Sequence, residues 1–503
     1  MPNSKYPLIS AEEAAAHIPS GATVAFSGFS SAGSAKAVPP AIAQRARNFH
    51  RQGQAYRIRV LTGGSTGKSI DEELAAAEAI SWRAPYQSSP ILRGQINRGE
   101  VEYVDMHLSH VPQMVANGFF GKLDFAVIEA TEITPDGRVF LTTSIGASPT
   151  FLKYAERVII EINPFHSMRL REIADIAIMP PPSHRSPIQI HDPLARVGYA
   201  YAAVDPRKVI GIVENQEPDL MAPFEPPSTF SKKIAEHITR FLLEERKAGR
   251  LPEELLPFEA GIGDISNGVV STLGRNEEIP PFKMYTEVLL DSLVSLMEKG
   301  RVLGASATAL TVNPETLKGI YENMDFFVPR ILLRSQEYSN HPAIIRRLGV
   351  IAMNTALEVD LYGNTNSTHI CGTDLMNGIG GSMDFSRNGY ISFIMCPSIS
   401  KGGKISNVVP MCSHVDNTEH SVAIIVTDQG LADMRGLGPA QRAKTIIDKC
   451  AHPAYRPYLH RYLENARKGH LRHNLGQCFE LHRNLQQYGA MLPDLDLSGM
   501  QPT

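Results

Sequence analysis

AVIEATEITPDGRVFLTTSIG, residues 126–146, carries the plainest strand-and-turn signal in the chain. An apolar run with buried-strand character passes an acid, turns at Asp136-Gly137 and returns through a Thr/Ser-rich segment to Gly146. The chain repeats the pattern further on. TALEVDLYGNTNSTHICG, residues 355–372, has the same apolar strand, an acid, a Tyr-Gly-Asn turn and a Thr/Ser-rich return ending at Gly372. A second echo joins VAFSGFSSAG, residues 24–33, to EAGIGDISNG, residues 259–268, each placing a glycine turn before a candidate helix. This repetition predicts an α/β protein of two related domains with mostly parallel sheets facing each other, and a ligand at the carboxyl ends of the strands.

Outward from that stretch, the runs Thr23 to Ser27, Ile58 to Leu61, Phe125 to Glu129 and Val158 to Ile162 read as buried strands. They alternate with helix-like stretches at Ala41 to Arg47 and Ser69 to Ile80, the order of a parallel sheet with crossover helices. EPDLMAPFEPP, from Glu217 to Pro227, has four prolines and no periodicity, which marks a linker. Ser228 and Thr229 offer N-caps for a helix running to about Leu243. The expected division is therefore 1–227 and 228–503. The tail from Leu492 to Thr503 reads as poorly ordered.

The 503 residues, 43% hydrophobic, 20% charged and 7% aromatic, fit a soluble globular chain of two or three domains. Forty-nine Lys and Arg against 52 Asp and Glu give a formal charge of −3. This balance excludes bulk binding to nucleic acid or to an anionic membrane, while leaving room for a local basic pocket. The five cysteines, Cys371, Cys396, Cys412, Cys450 and Cys478, form no CxxC pair. Their odd number and spacing argue against a disulfide framework or a zinc ribbon, a reducing compartment is expected, and neither metal nor permanently bound cofactor is predicted. The amino terminus carries Glu12 and Glu13 and no apolar h-region. The runs Ile391 to Cys396 and Val422 to Val426 are too short to cross a bilayer. The expectation is a cytoplasmic protein.

Several glycine-rich segments carry candidate chemistry. GGSTGKS, residues 63–69, reads as a nucleophile elbow around Ser65, or as a phosphate loop with three residues between its glycines where four are needed. No histidine and aspartate stand out as partners for Ser65, so a strand-to-helix turn is the plainer reading. GIGDISNG, residues 261–268, approximates a dinucleotide fingerprint with Ser266 where the third glycine belongs. It reads either as a tight turn or as amides presented to an anion at a helix start. NGIGGSMDF, residues 377–385, leaves Ile379 as the only side chain among residues 378–381, a place for close backbone approach. SKGGKIS, residues 400–406, sets Lys401 and Lys404 around two glycines, as a phosphate cradle or a solvated basic turn. In PPFKMYTEVLLDSLVSLMEKG, residues 280–300, Leu289, Leu293, Leu296 and Met297 have helical spacing. Thr286 and Glu287 are thereby expected at a helix start, where a glutamate ordinarily complements the helix dipole.

Taken in order, SGFSSAGSAKAVP (27–39), LTGGSTG (61–67), WRAPYQ (82–87), VIEATEI (127–133), GIGDISNGV (261–269), YTEVLLDS (285–292), SNHPAIIRRLG (339–349), MNGIGGSMDF (376–385), SKGGKISNVVPMCSHVD (400–416) and VTDQGLADMRGL (426–437) span nearly the whole chain. The set resembles the acetyl-CoA hydrolase/transferase family, the class I CoA-transferases. AFSGF, SWRAPYQ and VDMHLSHV most resemble members that exchange CoA between propionyl-CoA and succinate.

The resemblance implies two CoA-transferase-type domains, with the catalytic glutamate in the C-terminal one. CoA would move between a short acyl-CoA, propionyl or acetyl, and succinate through a glutamyl-CoA thioester; an acetyl-CoA hydrolase on the same scaffold is the alternative. It implies Glu287 as nucleophile, with the amides of Ile262 and Gly381 and the side chain of Asn340 as oxyanion donors. Gly261, Ile262, Gly263, Asp264, Ile265, Asn377 and Gly381 would line the CoA site, Lys401 would meet its phosphates, and Asp428 would border the carboxylate pocket. CoA thioesters are substrates in this reading, and a homodimer is expected. The chain departs from the family pattern at Asp264 (Asn in many relatives), Met383 (Gly) and Asp428 (Glu). A glutamate with an ordinary pKa of about 4.3 would be ionised at neutral pH and need no general base. An intact Glu287 argues against a merely CoA-binding protein.

Overall fold

The structure is a computed structural model that describes residues 5–221, 228–261 and 263–495. Most of the proline-rich linker segment, Ile262 and the end of the C-terminal tail lie outside the described residues. Two compact α/β units are present. The first comprises Met1–Pro223, Lys283–Leu348 and Asn377–Asp384; the second comprises Phe224–Phe282, Gly349–Met376 and Phe385–Thr503. Each unit is threaded from several stretches of chain. Glu287 accordingly belongs to the unit built mainly from the N-terminal half, not to a continuous C-terminal domain.

In the N-terminal stretch of the first unit the strands are β1 (Thr23–Phe26), β2 (Ile58–Leu61), β3 (Ile80–Ala84), β4 (Glu102–Tyr103), β5 (Phe125–Ile133), β6 (Arg138–Leu141), β7 (Arg157–Ile162), β8 (Ala174–Asp175), β9 (Ala202–Ala203) and β10 (Val209–Glu214). All but β8 form one sheet with the path β10-β7-β5-β1-β2-β3-β4. Neighbours on that path pair in parallel, as in Val24↔Phe125 and Val24↔Val60. The β5–β6 hairpin, turning at Asp136-Gly137, is the return read from residues 126–146, with Ala130 opposite Leu141. Parallel strands buried on both faces explain why these runs are continuously apolar. Val24, Phe26, Ile58, Val60, Phe125, Val127 and Ile159 share one core with Ile42, Ala43 and Ala46 of the Val38–Arg51 helix. Glu161 of β7 caps that helix by accepting from the amides of Lys36, Ala37 and Val38 at 2.7, 3.0 and 2.8 Å, pairing a carboxylate with the positive end of the dipole.

The helix expected over Ser69 to Ile80 is shorter. A π-helical turn at Lys68–Glu72 leads into Glu73–Ala76, and Ile80 already opens β3. Asp71 in that turn pairs with Arg83 of β3 at 2.8 Å, both fully buried. This tertiary ion pair overrides the local helical pattern.

The second unit carries the parallel strands Phe258–Ala260, Ile351–Thr355, Ile391–Met395 and Ile424–Thr427, closed by the antiparallel Gly430–Asp433. The helix capped by Ser228 runs Thr229–Lys247, beyond the expected end. The second half's echo is also a hairpin, with Glu358 opposite Asn366. The other echo diverges: residues 27–37 form a loop before the Val38–Arg51 helix, whereas Gly263 is itself the N-cap of Asp264–Arg275. Cys396, Cys412 and Cys450 are buried in this unit's core with Ile394, Ile425 and Ile446, serving as small apolar residues. Among the described residues, no helix is long and apolar enough to cross a membrane.

Candidate active site

Glu287 does not open a helix. The strand Phe282–Tyr285 ends just before it, Val288–Leu289 follows as a short strand, and the helix begins only at Asp291. The helical spacing of the leucines is real, but it starts after the nucleophile candidate. Val288 and Leu289 pair with Ala309 and Leu310, and the amides of Thr308 and Ala309 donate to the Glu287 carbonyl at 2.8 and 3.2 Å. The Glu287 backbone is thus fixed by a neighbouring strand and not by a fraying helix end.

Its side chain is 8% exposed. Asn340 Nδ2 donates to Glu287 Oε1. Asn340 ends the short Gln336–Ser339 helix, its own amide bonded to the Gln336 carbonyl at 3.0 Å. Gln336 Nε2 donates to the carbonyls of Gly63 and Leu108 at 3.0 and 2.7 Å. The LTGGSTG turn is thereby tied to the helix that carries Asn340. Gly63 and Gly64 are required by close approach: a Cβ at Gly63 would lie 3.1 Å from the Ala147 amide, and one at Gly64 would lie 3.0 Å from the Phe29 ring. This packing role accounts for the glycines around Ser65 without a nucleophile elbow.

Gly381 touches the same carboxylate. A Cβ there would fall on Glu287 Oε1 and Asn340 Nδ2, so no other residue fits without displacing both. The glycine loop leading to it is clamped from the β4 side. Tyr103 Oη donates to the Asn377 carbonyl at 2.7 Å, and the Ile379 amide donates to Asp105 at 2.9 Å. The Leu108 amide donates to the Gly380 carbonyl at 3.3 Å. The structure therefore brings Glu287, Asn340 and Gly381 together, with Asn377 at the base of the loop.

Burial raises the Glu287 carboxyl; the Asn340 hydrogen bond opposes this, Asp384 reinforces it, and the net position is about 7. The expectation of an ordinary, fully ionised glutamate is corrected accordingly. Asp384 is also raised to about 7, by burial working against hydrogen bonds from Ser109 and Asn340. Tyr86, whose electrostatic neighbours include Glu287, is pushed up by burial and stays neutral.

The other expected site residues belong to the second unit. Gly261 follows the Phe258–Ala260 strand, with its amide on the Met353 carbonyl at 3.1 Å. Gly263, at φ +136°, caps the Asp264–Arg275 helix, where Asp264 is exposed and Ile265 half-buried. Only glycine takes that φ readily. Lys401 is exposed in the turn between Ile399–Ser400 and Ile405–Ser406. Both Asp428 oxygens are engaged locally: Oδ1 by the Ser398 amide at 2.6 Å, Oδ2 by Gln429 Nε2 at 2.7 Å and Ser398 Oγ at 3.2 Å.

The residues that sequence reasoning missed are Asp384, Ser109, Asp105, Tyr103 and Gln336. Asp384 falls inside the quoted MNGIGGSMDF and Asp105 and Ser109 inside VDMHLSHV, whereas Tyr103 and Gln336 lie outside every quoted segment and carried no signal. Away from this site, ligand atoms of Glu129, His166 and Asp219 lie within 4.8 Å of one another, the one such cluster among the described residues. Lys36 Nζ sits 2.6 Å from Glu129 and 2.9 Å from Asp219. Its ammonium supplies the positive charge a metal would bring, and the SGFSSAGSAKAVP motif is in this part a buried ion pair.

The chain belongs to the acetyl-CoA hydrolase/transferase family: the model of the family's N-terminal domain matches residues 3–214, and that of its C-terminal domain matches residues 317–463. It is an enzyme of CoA transfer or hydrolysis acting on acyl-CoA and carboxylate substrates. It is 54% identical to the propanoyl-CoA:succinate CoA transferase of Escherichia coli over 489 residues, covering 97% of this chain and 99% of that one. With the succinyl-CoA:acetate CoA-transferase of Clostridium kluyveri the identity is 41%, over 96% of this chain and 90% of the relative. The crystal structure of RipA from Yersinia pestis shares the fold, with a TM-score of 0.69 at 24% identity, covering 90% of this chain and 96% of that one.

Proposed function

We propose that the protein is a CoA-transferase that moves CoA between propionyl-CoA or acetyl-CoA and succinate, with Glu287 as nucleophile. The observation that carries this reading is a buried carboxylate with an amide donor on one oxygen and a glycine against it. Similarity to the Escherichia coli relative supports the choice of substrates.

In this reading a Glu287 oxygen adds to the thioester carbonyl, the C–S bond breaks, and an acyl-glutamyl anhydride and CoA thiolate form. The thiolate adds to the glutamyl carbonyl and expels the first carboxylate, leaving a glutamyl-CoA thioester. A succinate carboxylate then attacks that thioester, and the released thiolate takes the succinyl group. No proton is gained or lost over the cycle, so no general base is needed. When thiolate adds to the glutamyl carbonyl, Oε1 becomes the oxyanion that Asn340 Nδ2 already addresses. A donor of this kind contributes about 10²- to 10³-fold in rate. The family resemblance adds the backbone amides of Gly381 and Ile262 as oxyanion donors in this scheme.

The same proposal assigns Gly261, Ile262, Gly263, Asp264, Ile265, Asn377 and Gly381 to CoA, Lys401 to its phosphates and Asp428 to the carboxylate pocket, in a cytoplasmic homodimer. The test is intact-mass analysis after incubation with propionyl-CoA alone, followed by assay with and without succinate, acetate and propionate. One CoA added on the peptide containing Glu287, with acceptor-dependent turnover, is expected. An adduct elsewhere overturns the nucleophile, and acceptor-independent CoA release makes the enzyme a hydrolase.

A further inference from the structure

Behind Asn340 lies a second buried carboxylate that the scheme above leaves without a task. Asp384 is 5% exposed and sits in the short Ser382–Ser386 helix that ends the glycine loop. Its Oδ1 accepts from Ser109 Oγ at 2.6 Å and its Oδ2 from the Ser109 amide at 3.1 Å. Oδ2 also accepts from Asn340 Nδ2 at 3.3 Å, the nitrogen that donates to Glu287. A primary amide nitrogen carries two hydrogens, and these two carboxylates take both. On the other side, Ser339 Oγ donates to Asn340 Oδ1 at 2.7 Å. The oxygen faces a hydroxyl and the nitrogen faces two carboxylates, so the amide has one sensible orientation.

We propose that Asp384 is a positioning residue: anchored by Ser109, it holds one hydrogen of Asn340 Nδ2 and so aims the other at Glu287 Oε1, the atom that becomes the oxyanion. The proposal rests on reading Glu287 as the nucleophile. Charge adds to geometry. Glu287 is an anion before attack and uncharged as the anhydride or thioester, so above about pH 7, where Asp384 is ionised as well, this neighbour disfavours the state that attack removes. Of the other titratable groups nearby, Tyr86 is kept neutral by burial and Asp105 is engaged by the Ile379 amide. Asp384 is the carboxylate that bears on Glu287.

The test uses full-length Asp384→Asn and Ser109→Ala enzymes, with kcat and KM for propionyl-CoA and succinate followed from mildly acidic to mildly alkaline pH, and intact mass after propionyl-CoA alone. In Asp384→Asn, kcat should fall about tenfold to a hundredfold with KM held within about threefold, while the CoA adduct still maps to Glu287. The acidic limb of its kcat profile should move to lower pH, because Glu287 has lost a like charge. Ser109→Ala should show the same kcat-against-KM split to a smaller degree, and it decides alone if Asp384→Asn does not fold. Wild-type kcat in both variants, an unmoved acidic limb, or a loss carried wholly by KM overturns the proposal. Absence of the adduct on Glu287 in the wild-type enzyme overturns the nucleophile reading instead.

Discussion

Replacing Glu287 with glutamine should stabilise the protein above neutral pH while abolishing transfer. The folded chain holds this carboxyl at about 7 against an ordinary 4.5, and each pH unit of such a difference is worth about 1.4 kcal/mol. Keeping Glu287 ionised in its buried site therefore costs about 3 kcal/mol at alkaline pH. The sign follows from proton binding. Between 4.5 and about 7 the folded state retains a proton that the unfolded chain has released, so stability falls as pH rises through that window and is unpenalised below it. Glutamine keeps the shape and the oxygen that accepts from Asn340 Nδ2, without the charge. The assay is thermal or urea unfolding of wild type and Glu287→Gln side by side at about pH 4 and about pH 8. The variant should melt several degrees higher at the alkaline pH and match the wild type at the acidic one. A difference independent of pH, or a wild type more stable at alkaline pH, would refute the reasoning.

Gly381→Ala should reduce kcat by at least about a hundredfold, because its Cβ falls on Glu287 Oε1 and Asn340 Nδ2; activity near wild type, measured on enzyme with an unchanged melting point, would show that the loop yields. Asp428→Glu must force an extra methylene against the Ser398 amide. A ratio of kcat/KM for acetyl-CoA and propionyl-CoA moved toward acetyl-CoA is expected from its proposed place in the carboxylate pocket, and an unchanged ratio with a lowered melting temperature would show that the side chain serves only the local fold.

The parallel strands were legible because burial on both faces makes them continuously apolar, and the β5–β6 hairpin because its Asp-Gly turn is local chemistry. Glu287 was misplaced for an equally physical reason. Leu293, Leu296 and Met297 mark the Asp291–Glu298 helix correctly, but nothing local shows that Val288 and Leu289 pair with Ala309 and Leu310. Asp384 and Ser109 carry no periodicity and meet across 275 positions of sequence, beyond the reach of any pattern. The raised Glu287 carboxyl depends on burial and on Asp384, neither of which composition reveals. A linker can be read from prolines, whereas a unit threaded from separate stretches cannot.

That threading governs how the site comes into being. On a ribosome, Ser109 and Asp105 emerge long before their partners, and the glycine loop reaches them only after residues through 384 have been made. The nucleophile's surroundings are thus among the late contacts of synthesis, closed across a very long loop whose entropy must be overcome before they reward folding. Cutting the gene at the linker would yield a first half without Glu287, Asn340 and Gly381, and a second half holding all three without Tyr103, Asp105 and Ser109. The clamp and the loop it holds thus lie in different matched segments, 3–214 and 317–463, and Glu287 lies between the two.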